Sequence, residues 1–189
     1  MKTQIKILRF ASAPAGLRSI LVSGVVMAAQ LMASAQVVPT HQQSLSKLVQ
    51  IVREATQQFS EVSAATAAGY APFLGCVTGP DHGAMGIHYL NGQLVGDGEI
   101  DARHPEALIY EPDADGRLRL VGVEYIVIAS QWLANHSSPP VLEGQSFQFV
   151  DSPNRYNVPA IFELHVWAWR ENPAGAFVDW NNHVSCEAE

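Results

Sequence analysis

Two spacings of apolar residues divide the chain into a helical segment and a segment of strands. From Ser44 to Ala68, apolar side chains recur at steps of three and four, as on one face of an amphipathic helix. The positions with this spacing are Leu45, Leu48, Val52, Ala55, Phe59, Val62 and Ala65. Ser44 is a suitable N-cap, and Gly69 is suited to the position just after the helix. The pattern predicts one helix over 44–68 that covers a sheet.

Beyond Gly69 the spacing shortens to two residues, which is typical of strands. The predicted strands are 85–91, 106–111, 117–128, 146–150 and 160–169. Turn residues at 112–116 join the second and third into a hairpin. Because no helical segment separates the strands, an antiparallel sheet is favoured over a parallel one. The predicted fold class is α+β, an N-terminal amphipathic helix packed on an antiparallel sheet of about five strands. The longest loop, 130–144, is a candidate lid.

The alternation is most informative in the last strand. One face of this strand is apolar and consists of Phe162, Leu164, Val166 and Ala168. The opposite face carries Glu163, His165, Trp167 and Trp169. A strand that serves only as core does not need a carboxylate beside an imidazole between large aromatic rings. Such a face suits the wall of a ligand cleft, where a few polar groups lie in an apolar frame.

The N-terminal 35 residues differ from the rest and predict a secretory signal peptide. Basic residues precede an apolar run over 20–29, and Ala33-Ser34-Ala35 has the form of a cleavage site. An uncleaved membrane anchor is the alternative, but the run is short for a span. We therefore expect an exported protein, periplasmic or secreted, with no stable membrane anchor after cleavage. Residues 36–189 would form a single domain made of the helix (44–68), the β-rich sheet (85–169) and a tail (170–189) tied by Cys186.

The charge of this predicted mature part narrows the range of partners. It contains all 18 acidic residues but only 7 of the 11 Lys and Arg, so its formal net charge is −11. A chain this acidic, without a basic run, is a poor candidate for binding nucleic acid or an anionic membrane. A metal ion or a small-molecule ligand is the expected partner.

The two cysteines, Cys76 and Cys186, form an even pair in a chain expected to be exported, which favours a disulfide. Buried thiols or metal ligands are the alternative. A bridge would close a loop of about 110 residues, worth roughly 4–5 kcal/mol in the chain-entropy model.

Three of the seven histidines have sequence surroundings that suggest a site. His82 lies in a glycine-rich turn, and five residues separate it from His88 in the following strand. Tight folding at the glycines would allow the two rings to converge. With His165 and Glu124, these residues predict a site of three histidines and one carboxylate for one divalent transition-metal ion, such as zinc, iron, copper or manganese.

Glu124 is the reason to expect a partner inside the sheet. An ionised carboxylate among apolar strand residues is costly unless it is paired or coordinated. A histidine or a cation would serve, and so would one of the arginines at 117, 119 and 155. Glu163 would orient a ligating ring, and Tyr125, Trp167 and Trp169 would line the pocket.

The sequence leaves three interpretations open. These are a metal-binding protein with or without enzymatic activity, a metal-free binding module with a tryptophan-lined cleft, and a structural envelope protein whose buried polar groups pair with one another. No G-x-S-x-G, P-loop or G-x-G-x-x-G motif is present, so no reaction or substrate is assigned.

Four blocks of the chain resemble those of small exported bacterial proteins of a family without an assigned activity. These blocks are GAMGIHYLN, PEALIYEP, RLRLVGVEYIV and ELHVWAWRENPAGAF, and the resemblance covers most of residues 68–186. It supplies no functional residue. The composition of the candidate site is similar to that of cupins, which bind metal through His and Glu. Cupins place a closely spaced H-x-H pair before a Glu, and this chain lacks that pair.

Overall fold

The computed structural model describes residues 46–79 and 81–188. The predicted signal peptide and Ser44 lie outside the described residues. The helices are α1 (Lys47–Thr56), a 3₁₀ helix (Gln57–Ser60), α2 (Val62–Ala67), α3 (Gly92–Asp97) and α4 (Ala129–Asn135). Within the described part, none of them has the length and apolarity needed to cross a membrane.

The segment predicted as a single helix over 44–68 is broken. Ser46 caps α1 by accepting a hydrogen bond from the Val49 amide, and the helical hydrogen bonds stop before Glu61, which is extended. A tertiary contact lies at the break, where the carbonyl of Phe59 accepts a hydrogen bond from the hydroxyl of the buried Tyr110. Gly69 follows α2 with φ +93°, as expected for the residue after a helix end.

The main sheet is antiparallel, and it curls. Its strands are β1 (Ala71–Gly79), β2 (Gly83–Leu90), β3 (Ala107–Pro112), β4 (Leu118–Ile128), β7 (Gln148–Val150) and β8 (Ile161–Val166). Across the sheet they lie in the order β1-β2-β3-β4-β8-β7. A separate two-stranded sheet consists of β5 (Val141–Leu142) and β6 (Gln145–Ser146). This combination of helices with an antiparallel sheet agrees with the predicted α+β class.

Four of the five predicted strands correspond to β2, β3, β4 and β8, with ends that differ by one to three residues. The fifth, 146–150, is divided between β6 and β7, because Phe147 turns into the core between them. The alternation pattern missed β1, whose pairing with β2 shifts register between Phe73 and Val77. The prediction of a loop over 130–144 is wrong at its start, where the chain forms α4. None of the residues 130–144 lines the cavity described below.

The two faces of the sheet have different roles. Val123, Tyr125 and Val127 of β4 and the even residues of β8 pack with α1 and α2 in the main apolar core. This core includes Leu48 and Val52 from α1 together with Val123, Tyr125 and Leu164 from the strands. The opposite face carries Glu124, Glu163 and His165, so the stability of the fold rests mainly on one face and the other is free for chemistry.

A disulfide joins the first strand to the C-terminal tail. Cys76 and Cys186 are bonded, as predicted, with a sequence separation of 110 residues. The tail is also held by backbone hydrogen bonds in both directions between Ala84 and Asn181. Together these contacts hold residues 179–186 against β1 and β2.

Gly86 sets which residues of β2 face inward. Its φ is +95°, and a Cβ at this position would lie 2.6 Å from the carbonyl oxygen of Tyr110. Next to Gly86 the pairing of β2 with β1 skips Met85, which is a β-bulge. The bulge breaks the strict alternation, so that Met85 and His88 both line the cavity on the polar side of the sheet.

We expect Gly86→Ala to be strongly destabilising. The matched control is Gly116→Ala, where φ is +76° but a Cβ would meet nothing within 4 Å. Both variants incur the cost of a left-handed conformation, about 1–2 kcal/mol. Only Gly86→Ala adds the overlap with Tyr110, so its free energy of unfolding, measured by denaturant titration, should fall by about 1–3 kcal/mol more. Equal losses in the two variants would contradict the proposed close approach.

Candidate metal centre

Three strands of the sheet bring together His88, Glu124 and His165. Glu124 on β4 lies directly opposite His165 on β8 in the antiparallel register. His88 lies on β2, with only β3 between it and β4. Ala107 of β3 pairs with Glu124 and has no side chain long enough to separate the two residues. All three side chains are buried, and His165 is only 1% exposed. They form a group whose candidate ligand atoms all lie within 4.8 Å of one another.

The distances in this group fit metal ligation better than hydrogen bonding. The Nε2 of His88 lies 3.3 Å from Oε2 of Glu124 and 3.5 Å from Nε2 of His165. Good hydrogen bonds to nitrogen are about 2.7–3.2 Å long. In a tetrahedral site with bonds of about 2.0–2.1 Å, ligand atoms lie about 3.3–3.4 Å apart. Nε2 of His88 is therefore at about the spacing of metal ligands from Glu124 and from His165, while the nitrogen–oxygen distance recorded between His165 and Glu124 is longer, 3.9 Å, and involves Nδ1.

Two other buried ring nitrogens of the group also lack a partner. Within the described residues, the Nδ1 atoms of His88 and His165 have no hydrogen-bond partner of good geometry. Nδ1 of His165 lies 3.6 Å from Oδ1 of Asp179 and 3.9 Å from Oε1 of Glu124. Buried polar atoms are almost always satisfied in folded proteins, so orphaned imidazole nitrogens need an explanation.

Glu124 has no basic partner of the kind that Arg would provide. In residues 46–79 and 81–188, no Lys or Arg forms an ion pair with it, and Arg117 pairs with Asp115 instead. Its other neighbour is the carboxyl group of Glu163, with which it shares a hydrogen bond. Two carboxyl groups in such contact cannot both be ionised without a large cost, unless a cation is present.

Burial keeps the two rings and Glu124 uncharged at neutral pH, where Glu163 is partly ionised. Burial raises the pKa of Glu124 well above its usual range, and the adjacent Glu163 adds to the shift. Burial also raises the pKa of Glu163 to about 7. It lowers the pKa of His88 to about 4, although the Gly86 backbone opposes the shift. The pKa of His165 is lowered well below its usual range by burial and by the neighbouring His88. The rings are therefore neutral, as metal ligation requires, while Glu124 must release a proton to bind an ion.

A cavity of about 120 Å³ opens beside this group. His88, Glu124 and Glu163 supply its polar wall, and most of the other lining residues are apolar. Phe73 and Leu74 of β1 also line it and are themselves partly exposed, so the cavity reaches the surface near β1. An apolar cavity with a few convergent polar groups is the usual form of a small-molecule site.

Not all of the predicted site residues join the group. His82 is exposed and lies at the start of the extended β2, roughly 15–20 Å along the strand from His88, so the predicted convergence of these two rings is wrong. Tyr125 faces the helices, where its hydroxyl donates to the carbonyl of Ala102. It therefore does not line the pocket as predicted.

The two tryptophans also lie outside the cavity lining. Trp167 is buried, stacks beside His165 and donates its Nε1–H to the carbonyl of Val178. Trp169 does not share the face of His165, because β8 ends at Val166, and its Nε1–H donates to the Thr56 hydroxyl of α1. A tryptophan-lined cleft is therefore not present at this site.

Sequence reasoning missed Asp179, Tyr156 and Glu106. Asp179 lies in the tail, where adjacent apolar residues indicated packing alone. Tyr156 lines the cavity from the β7–β8 connection, where it contacts Met85. Glu106 precedes β3, and its carboxylate accepts a hydrogen bond from the Ile126 amide. The signal for Glu106 that the sequence offers is a carboxylate at the start of a predicted apolar strand.

Comparison of the chain with protein-family models, with curated proteins and with solved structures gave no significant match. The basis for a functional proposal is therefore the chemistry of the side chains.

Glu106 leads to a prediction about pH. Burial raises the pKa of Glu106 to about 8 from an ordinary value of 4.5. Between these values the folded state keeps a proton that the unfolded state has lost, so this group's contribution to stability falls as the pH rises from 4.5 to 8.

Glu106→Gln keeps an acceptor for the Ile126 amide but cannot titrate. We expect the free energy of unfolding to fall less steeply with pH in the variant than in the wild type, by on the order of 1 kcal/mol per pH unit. Denaturant titrations at pH 5, 6, 7 and 8 measure the two slopes. Parallel curves would contradict the raised pKa.

Proposed function

We propose that the protein binds one divalent transition-metal ion through His88, Glu124 and His165, and that this ion acts on a small ligand in the adjacent cavity. The observation that carries the proposal is the convergence of three buried residues whose candidate ligand atoms lie within 4.8 Å of one another, with Nε2 of His88 3.3 Å from Glu124 and 3.5 Å from His165. Two histidines and one carboxylate suit zinc, iron or manganese, and such sites leave a coordination position for water or substrate.

Asp179 would assist this site from behind His165. A ligating histidine usually donates its other ring N–H to a carboxylate, which fixes the tautomer and the orientation of the ring. Oδ1 of Asp179 lies 3.6 Å from Nδ1 of His165, a distance that a small ring rotation would shorten to a hydrogen bond. With Nδ1 held in this way, the lone pair of Nε2 points toward His88.

The cavity suggests the kind of ligand. Its apolar walls, among them Ile126, Val158 and Ile161, exclude a large or highly charged molecule. Its polar wall would place a carbonyl, hydroxyl or water oxygen against the ion. A metal ion in this position would polarise a substrate oxygen or activate a bound water. The reaction is left open, but we expect the ligand to be small and largely apolar.

Export is part of the proposal. The disulfide of Cys76 with Cys186 is typical of proteins in oxidising compartments. Together with the predicted signal peptide, it favours a periplasmic or secreted location, where the protein would acquire its ion.

A metal-free binding pocket is the second candidate function. It is favoured by the proton that Glu124 and Glu163 hold at neutral pH, because a protonated carboxyl group can donate a hydrogen bond to a neutral ligand. In that case the orphaned ring nitrogens would be satisfied by water or by the ligand.

The first test of the metal site is the affinity for Zn²⁺ at one equivalent, measured by competition with a chelator. The protein should be exported with its disulfide intact and purified without a metal-affinity tag. We expect His88→Ala and His165→Ala each to weaken binding by at least about 100-fold, because even changes outside the ligand shell cost about 10–100-fold.

His104→Ala is the matched control, since this exposed histidine pairs only with Asp101 at the surface. It should bind Zn²⁺ like the wild type. If the wild type showed no tight binding of zinc, iron, manganese or copper, the proposal would be wrong. Unchanged affinity in both histidine variants, with the fold intact by circular dichroism, would also contradict it.

Glu124→Gln separates a metal ligand from a structural carboxylate. Because the raised pKa keeps Glu124 protonated in the metal-free protein, a neutral amide of similar size should change the metal-free stability by less than about 1 kcal/mol. The same change should abolish tight zinc binding, since the anionic ligand is lost.

Thermal unfolding with and without Zn²⁺ measures both effects in one experiment. The wild type should be stabilised by zinc and the variant should not. A variant that is strongly destabilised without metal, by several kcal/mol, would point instead to a structural ion pair of Glu124 with a protonated histidine.

A further inference from the structure

A second group of potential ligands shares His165 with the first and includes Asp179 of the C-terminal tail. Atoms of Glu163, His165 and Asp179 all lie within 4.8 Å of one another. The ring is 1% exposed, and its Nδ1 atom faces Asp179 without a hydrogen-bond partner in the described part of the chain. An unpartnered buried nitrogen beside two carboxyl groups is the composition of a cation site.

This second group can be reached from a different side of the molecule. Asp179 is 23% exposed and lines a surface hollow, together with Asp81, His82, Gln148 and Trp180 among others. The cavity beside His88 does not include Asp179, and the hollow does not include His88 or Glu124. Asp179 therefore gives this group an approach from the surface hollow, while Glu163 lines the cavity beside His88.

Once Glu124, Glu163 and Asp179 have all lost their protons, the charges favour two ions rather than one. Three carboxyl groups, those of Glu124, Glu163 and Asp179, surround two histidine rings. Among the described residues, no Lys or Arg forms an ion pair with any of the three. One divalent ion would compensate two carboxylates and leave the third without a counter-charge. A second ion would compensate the third and would also satisfy Nδ1 of His165.

We infer that Glu163, Asp179 and Nδ1 of His165 form a second divalent cation site, so that His165 bridges two metal ions. This inference rests on the proposed function, which supplies the first ion. The ring of His165 would then bind through both nitrogens and would release its remaining N–H proton to solvent. With bonds of about 2.0–2.1 Å on each side of the ring, the ions would lie roughly 6 Å apart.

Zinc stoichiometry tests this inference. The full mature protein is equilibrated with excess Zn²⁺, dialysed and analysed for bound zinc, and Asp179→Asn is compared with Asp81→Asn. Asp81 lies in the same hollow but does not belong to the ligand group, so it is the matched control. Glu163→Gln is the second variant in case Asp179→Asn folds poorly.

The expected result is two equivalents in the wild type and in Asp81→Asn, and one equivalent in Asp179→Asn and Glu163→Gln. His88→Ala should also retain one equivalent, held by the second group at least about 100-fold more weakly than the tightly bound ion of the wild type.

Three results would overturn the second site while leaving the proposed function intact. The first is one equivalent in the wild type, bound with the same affinity in Asp179→Asn. The second is one equivalent bound more weakly in Asp179→Asn, which would make Asp179 a positioning residue for His165. The third is two equivalents in both the wild type and Asp179→Asn, which would place the second ion elsewhere. Binding of no zinc by the wild type would overturn both proposals.

Discussion

The central constraint on this structure is the burial of Glu124 between two histidines in the middle of a sheet. The antiparallel register of β4 and β8 places Glu124 opposite His165, and the curl of the sheet brings His88 close from two strands away. An ionised carboxylate in this position would be very costly without a cation. The cluster avoids that cost through neutral rings and a shared proton. The same arrangement places the ligand atoms at the spacing that a metal ion requires.

The rest of the fold supports this arrangement from both sides of the sheet. Helices α1 and α2 cover one face, where Leu164 and Tyr125 belong to the main core. On the other face, the tail is held by the disulfide of Cys186 and by hydrogen bonds to β2, and it delivers Asp179 behind His165. The tail therefore contributes to the site as well as to stability. Separating the apolar core from the polar face allows the site to be built without weakening the packing.

Sequence periodicity predicted the parts of the site that lie on regular strands. The alternation in the last strand placed Glu163 and His165 on one face, and the cost of burying Glu124 predicted that it has a partner, with a histidine, a cation and an arginine as the alternatives. Positions governed by irregular backbone were not predictable in this way. The face of Trp169 depends on where β8 ends, and His82 is separated from His88 because β2 is extended. β1 was missed because its bulge removes the alternation, and Asp179 because it reaches the site through tertiary contacts of the tail.

X-ray absorption at the zinc edge tests the central claim most directly, because it reports the atoms bound to the ion. The protein would be loaded with one equivalent of Zn²⁺ and compared with His165→Ala. The account predicts a nitrogen and oxygen shell at about 2.0–2.2 Å with the outer-shell scattering of two imidazole rings, reduced by one ring in the variant. A spectrum without imidazole scattering, or one that His165→Ala leaves unchanged, would contradict metal binding by this cluster.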